Sequence, residues 1–124
     1  MLNVLVIDDN KVFVNSFIKL LNDALGDRIG SIEYCFSGKD GLQMLNDNMY
    51  DYVFLDIDLP DLMGPEIACH YNRLHFRRNT KIIAISFHKE FEFMYKMIQA
   101  GVNEYLVKEE IDYNAIVELF NRSN

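Results

Sequence analysis

Apolar residues fall along this chain in two alternating rhythms. Short β-branched or apolar runs occupy residues 4–7, 32–36, 52–55, 82–85 and 105–107. Between them lie segments in which apolar residues recur every three or four positions. Strand runs separated by helical segments predict βαβ units and a parallel sheet of five strands, with five helices. The uninterrupted runs VLVI, YVFL and IIAI suit a sheet covered on both faces. In the helix over 11–25, Phe13, Phe17, Leu20 and Ala24 form one stripe, with Asn15, Lys19, Asn22 and Asp23 opposite. Val14 and Ile18 sit at its edge, as a wider core contact or as an apolar rim for a partner. Ser37 is placed to cap a second helix that carries Leu42 and Leu45. Gly64-Pro65 reads as a turn with proline at the first helical position. Gly101 reads as the stop of the fourth helix, and Asp112 as the cap of a fifth with Ile116, Leu119 and Phe120 inward. Phe91, Phe93 and Tyr95 cannot all face one core from a helix, so at least one ring is expected in solvent.

A length of 124 residues predicts one domain, 1–124. Such a chain buries roughly two-thirds of its unfolded surface and needs no disulfide or metal staple. No linker or repeat interrupts it, and it stops just after the last helical segment, so an output domain is expected to be absent. The formal net charge is −7. That balance argues against direct nucleic-acid binding and against an anionic membrane surface. No apolar run approaches the ~18–20 residues of a membrane span, and MLNVLVIDD lacks the positive region of a signal peptide. Cys35 and Cys69 form no paired motif; each is expected to be a small buried hydrophobe in a reducing cytoplasm. A basic cluster, His70, Arg73, His75, Arg77 and Arg78, reads as a solvated face or as a docking patch for an acidic partner.

The chemistry gathers at strand ends. In open parallel sheets, ligands sit at the carboxyl ends of the strands. There the first strand gives Asp8-Asp9, the third Asp56 with Asp58 two residues on, the fourth Ser86 and the fifth Lys108. Neighbouring carboxylates repel and raise at least one pKa unless a cation intervenes. Lys108 neutralises one charge. An all-oxygen ligand set suits Mg²⁺, which is held by one or two carboxylates together with phosphate oxygens. A carboxylate beside Mg²⁺ can attack a phosphoryl group, and Mg²⁺, Lys108 and the Ser86 hydroxyl would meet the charge that develops.

Four stretches carry a family likeness: VLVIDDN (4–10), YDYVFLDIDLPDLMG (50–64), KIIAIS (81–86) and AGVNEYLVK (100–108). Pro60 and Gly64 follow Asp56 by four and eight residues. Together they resemble the response-regulator receiver domain of two-component signalling, over essentially the whole chain. The resemblance implies a flavodoxin-like (βα)5 fold, α/β, with strand order 2-1-3-4-5. It implies Asp56 as phosphoacceptor, and Mg²⁺ held by Asp8, Asp9, Asp56 and the Asp58 main-chain carbonyl. Ser86 would grip the phosphoryl oxygen, Lys108 would be the family's lysine and Tyr105 the aromatic switch. The implied donor is a histidine kinase or phosphotransfer protein whose helices dock near the first helix. The implied homodimer surface is helix 4, strand 5 and helix 5. A receiver is a switch, not a turnover enzyme.

Departures from the family pattern are local. Glu109 follows Lys108 where many members have proline, so a cis peptide is not expected there, and the loop is closer to the LuxR-type branch. Phe87 stands where alanine or glycine is usual, and its ring would shield the phosphate. Asp58 and His88 occupy positions that tune dephosphorylation; His88 also reads as a merely solvated residue. Two other readings remain. One is a degenerate receiver that binds partners without phosphorylation. The other is a haloacid dehalogenase-like phosphatase, since VFLDID fits the hhhDxD pattern with Asp56 as nucleophile and Asp58 as acid/base.

Overall fold

The apolar runs pair into one parallel sheet in the computed structural model, which describes residues 1–73 and 79–122. The order along the chain is β1 (Leu2–Ile7), α1 (Lys11–Leu25), β2 (Ile29–Cys35), α2 (Gly38–Asp47), β3 (Tyr52–Asp56), α3 (Gly64–Asn72), β4 (Lys81–Ser86), α4 (Phe91–Gln99), β5 (Glu104–Val107) and α5 (Tyr113–Arg122). Short 3-10 turns follow α1 and β5. The strands lie in the order β2-β1-β3-β4-β5, as the family likeness implies. Side chains alternate across each strand, so β1 sends Leu5 and Ile7 to one layer and Val4 and Val6 to the other. The first layer packs against Leu45, Ile67, Tyr71 and Met97, and the second against α1 and α5. Two-sided burial explains why the central strands are apolar without interruption.

The α1 stripe needs correction. Its buried residues are Val14, Phe17, Leu21 and Leu25. Phe13, Ile18, Leu20 and Ala24 flank them, partly buried. The helix meets the sheet on one side and Ile116, Leu119 and Phe120 of α5 on the other. Its buried arc is therefore wider than a single stripe and lies about one residue further round. Val14 belongs to the core.

The predicted caps are in place. Ser37 Oγ accepts from Asp40 N at 3.1 Å and Asp112 Oδ1 from Ala115 N at 2.8 Å. Pro65 sits in the first turn of α3, and Gly101, at φ +96°, follows the end of α4. Cys35 is buried, whereas Cys69 is only half-buried. It lines a groove of about 270 Å³ between α3 and α4 with Pro65, Tyr95, Lys96, Gln99 and Ala100. Phe91 and Tyr95 are exposed, while Phe93 packs against the core. His70 and Arg73 are exposed; His75, Arg77 and Arg78 lie outside the described residues.

The loop after β3 is held tightly. Gly64 N donates to the Ile57 carbonyl at 3.0 Å, and Asp58 and Met63 form an antiparallel bridge. A Cβ on Gly64 would come within 2.7 Å of the Asp56 carbonyl oxygen and 2.8 Å of Ile57 Cα. Only glycine permits that approach. From the same loop, Asp61 accepts from Gly38 N and Lys39 N, both at 2.8 Å, and these donors hold its carboxyl below the usual range. The loop is thereby tied to the start of α2. Gly64→Ala is expected to lower stability by about 2–3 kcal/mol through backbone displacement. Asp61→Ala should lower stability by less than Gly64→Ala, since it only removes the acceptor of Gly38 N and Lys39 N. Urea unfolding measures both; a parental midpoint for Gly64→Ala would refute the close approach.

Candidate functional site

Asp8 follows β1, Asp56 ends β3, Ser86 ends β4 and Lys108 follows β5. Parallel strands in register bring these ends to one edge. Asp56 pairs with Ile85 on β4, one residue before Ser86. All four side chains are buried, while Asp9 is exposed. One carboxylate oxygen from each of Asp8, Asp9 and Asp56 can be chosen so that all three lie within 4.8 Å of one another.

Asp8 is oriented from below. Its Oδ1 accepts from Asn10 N at 2.9 Å, and Asn10 in turn caps α1, its Oδ1 accepting from Phe13 N at 3.0 Å. The buried Oδ2 has no hydrogen-bond partner and meets the Lys108 ammonium at 2.6 Å as an ion pair. Lys108 Nζ lies 3.7 Å from Asp56 Oδ1. One ammonium therefore serves two buried anions and favours Asp8. The Asp56 carboxyl is pushed up to about 7: burial raises it most, the charge of Asp8 adds to this and that of Lys108 opposes both.

Three converging carboxylates, one with a buried oxygen lacking a hydrogen bond, fit a hard divalent cation. They do not suit a soft metal, since no sulfur or imidazole joins the cluster found among the described residues. A cavity of about 330 Å³ lined by Lys81, Ile83, Asn103, Glu104 and Arg122 opens at the amino ends of β4 and β5, away from this chemistry.

The remaining expected residues converge on the loop after β4. Ser86 Oγ accepts from His88 N at 3.0 Å, and the Tyr105 hydroxyl donates to the His88 carbonyl at 2.9 Å. Burial raises the Tyr105 phenol above its ordinary range, and hydrogen bonding with Ser86 offsets part of this. His88 is not merely solvated. Its Nε2 lies 2.5 Å from Asp58 Oδ2, and its ring stacks on Phe93 with centroids 3.8 Å apart. Asp58 and His88 thus bind each other. Phe87 is half-exposed, and its ring centroid lies 5.1 Å from Lys108 Nζ. The described peptide bonds, Lys108–Glu109 among them, are trans.

Sequence reasoning missed Phe13, whose ring centroid is 4.4 Å from Lys108 Nζ. It also missed Asp61 and the Asp58–His88 contact. Phe13 lies in the first turn of α1, directly after the Asp8-Asp9 strand end, and that proximity in sequence was the available signal.

The raised Asp56 pKa has a thermodynamic sign. The folded carboxyl titrates near 7 and the unfolded one near 3.8, so between those values the folded state holds the extra proton. Its stabilisation is full below pH ~4 and is lost as pH rises through about 7. Without divalent cations, Asp56→Asn should exceed the parent in stability by on the order of 2–4 kcal/mol above pH 7. The gap should close below pH ~4. Urea unfolding in EDTA across this range checks it; a parent that gains stability on the variant as pH rises would contradict the burial assigned to Asp56.

Comparison with known proteins agrees with this geometry. Residues 4–121 match the response regulator receiver domain family. The chain is 30% identical over 108 residues to the response regulator UvrY of Escherichia coli, covering 87% of this chain and 48% of UvrY. It is 28% identical over 107 residues to the signal transduction histidine-protein kinase BarA of Shigella flexneri, covering 86% of this chain and 11% of BarA. This chain thus spans about half of one relative and about a tenth of the other. The receiver domain of the histidine kinase CKI1 from Arabidopsis thaliana, crystallised with Mg²⁺ and BeF3−, superposes with a TM-score of 0.84 at 25% identity, covering 98% of this chain and 89% of that one. With the β2-β1-β3-β4-β5 sheet and acidic residues gathered at its carboxyl edge, the chain belongs to the receiver domains of two-component signalling.

Proposed function

We propose that Asp56 accepts a phosphoryl group from a phosphohistidine on a histidine kinase or phosphotransfer protein, and that this changes the surface the domain offers to partners. The observation that carries the reading is the buried Asp56 carboxyl at the end of β3, set among Asp8, Asp9 and Lys108. Asp56 attacks phosphorus, the new Oδ–P bond forms, and the donor's N–P bond breaks with its electron pair left on the imidazole. Asp8, Asp9, Asp56 and the Asp58 main-chain carbonyl would hold Mg²⁺. Bound there, the metal would neutralise the carboxylates and the equatorial oxygens of the transferred group. Lys108 supplies a further positive charge, free to turn from Asp8 toward the phosphoryl oxygens. The Ser86 hydroxyl donates to one of them, which withdraws it from His88 N.

The partner surfaces follow from exposure. Val14 is in the core, so the apolar rim that α1 offers a docking helix consists of exposed Val12 and half-buried Ile18. Phe91, Tyr95 and Ile98 of α4 and Tyr113 of α5 are exposed as well, which supports homodimer formation through α4, β5 and α5. Membership of the receiver family displaces the phosphatase reading. A phosphorylation-independent binding module remains as an outcome of the test.

Incubation with Mg²⁺ and acetyl phosphate should add one phosphoryl group to the parent and none to Asp56→Asn, read by intact-mass spectrometry. Size-exclusion chromatography in parallel should show a changed elution of the phosphorylated parent. A normally labelled Asp56→Asn variant would refute the acceptor; a labelled parent with unaltered elution and partner affinity would favour the constitutive module. A second expectation concerns the switch. Ser86→Ala should uncouple Tyr105, so that its aromatic NMR signals no longer respond to beryllofluoride; a parental response would break the Ser86–Tyr105 link.

A further inference from the structure

Lys108 is the sole cation the described contacts place among the buried carboxylates, and two aromatic rings enclose it. Phe13 of α1 lies 4.4 Å from its ammonium and Phe87, after β4, lies 5.1 Å away, measured to the ring centroids. Both are within the ~6 Å reach of a cation–π contact, which strengthens when the cation is desolvated. The Lys108 side chain is only 4% exposed.

Phe13 is not a loose lid. Its ring stacks on buried Phe17 at 5.3 Å and 17°. Phe17 meets Phe54 edge-on at 4.8 Å, and Phe54 lies in the fully buried centre of β3. The ring beside Lys108 is thus the outer member of a packed aromatic series anchored in the sheet. Phe87 closes the other approach from a strand end. An ammonium has three donors; Asp8 Oδ2 is at 2.6 Å and Asp56 Oδ1 at 3.7 Å. Ring faces offer electron density where a buried ammonium would otherwise lose water without replacement.

We infer that Phe13 and Phe87 form an aromatic collar that positions Lys108, holding its ammonium at the phosphoacceptor in a dry setting. The two rings are positioning residues: they touch the lysine and act on the phosphoryl group through it. The collar leaves the ammonium free to turn between Asp8, Asp56 and an incoming phosphoryl oxygen while keeping it from swinging out to solvent. This rests on the phosphoacceptor reading for its consequence, though the collar itself does not.

The test separates a ring face from apolar bulk. Phe13→Leu and Phe87→Leu keep hydrophobic volume without a π face, whereas Phe13→Tyr keeps the face. In the metal-free parent, ring currents should displace the Lys108 ε-methylene proton signals from their ordinary NMR positions. Each leucine variant should return them partway, and Phe13→Tyr should not. Beryllofluoride titrated in excess Mg²⁺ should bind Phe13→Leu about three- to tenfold more weakly than the parent, the range a partly desolvated cation–π contact supplies. Phe13→Tyr should bind as the parent does. Undisplaced Lys108 signals in the parent would overturn the collar, as would equal affinities for Phe13→Leu and Phe13→Tyr. Should the parent take up no beryllofluoride, the phosphoacceptor reading falls, while the Lys108 signals still decide the collar. If Phe13→Leu does not fold, the Phe87→Leu signals decide it.

Discussion

Like charges forced together at the edge of a dry sheet are the constraint from which the site's other features follow. Asp8 and Asp56 are buried, Asp9 is adjacent, and each can present an oxygen within 4.8 Å of the other two. Coulomb repulsion at such separations is worth several kcal/mol wherever water is scarce. The protein answers with one buried ammonium, Lys108, shared unequally between Asp8 and Asp56. Burial above all, and the charge of Asp8 that one ammonium does not cancel, make Asp56 hold its proton more strongly than a free aspartate does. A group held in this way responds to any added cation or anion. The parallel sheet makes the arrangement possible because strands in register deliver their last residues to a common edge, whatever their distance in sequence.

Much of this was legible in the chain because the causes are local. A strand covered on both faces must be apolar throughout, so VLVI, YVFL and IIAI announced the sheet. Asp8, Asp56, Ser86 and Lys108 were legible as a set because each ends or directly follows such a run. Helix caps at Ser37 and Asp112 were legible because a cap is a contact between residues three apart.

What stayed hidden depends on contacts between distant segments. Asp61 has no signal of its own in the sequence; its role at the start of α2 needs residues 38 and 39 brought beside it. Phe13 read as core because an aromatic on a helical stripe is generally core. Its place beside Lys108 depends on β5 reaching the same sheet edge, about a hundred residues along the chain. Asp58 and His88 are thirty residues apart, and no periodicity links two loops.

His88 is where the site and the surface meet. Its N–H depends on Ser86 Oγ, its carbonyl takes the Tyr105 hydroxyl, and its ring lies between Asp58 and Phe93. If the Ser86 hydroxyl turns to a phosphoryl oxygen, the His88 N–H loses its acceptor and the local backbone must find another arrangement. Phe93 belongs to α4, whose sole buried residue is Met97. A helix held by so little buried area shifts at small free-energy expense, in contrast to α1 with four buried residues. A change in hydrogen bonding at residue 88 is therefore felt directly by α4, through the ring of Phe93 that His88 stacks on. The same change on the α1 side would be absorbed by the core. Under the proposed phosphorylation, the face carrying Phe91 and Tyr95 is therefore the one that would move with a charge arriving at Asp56.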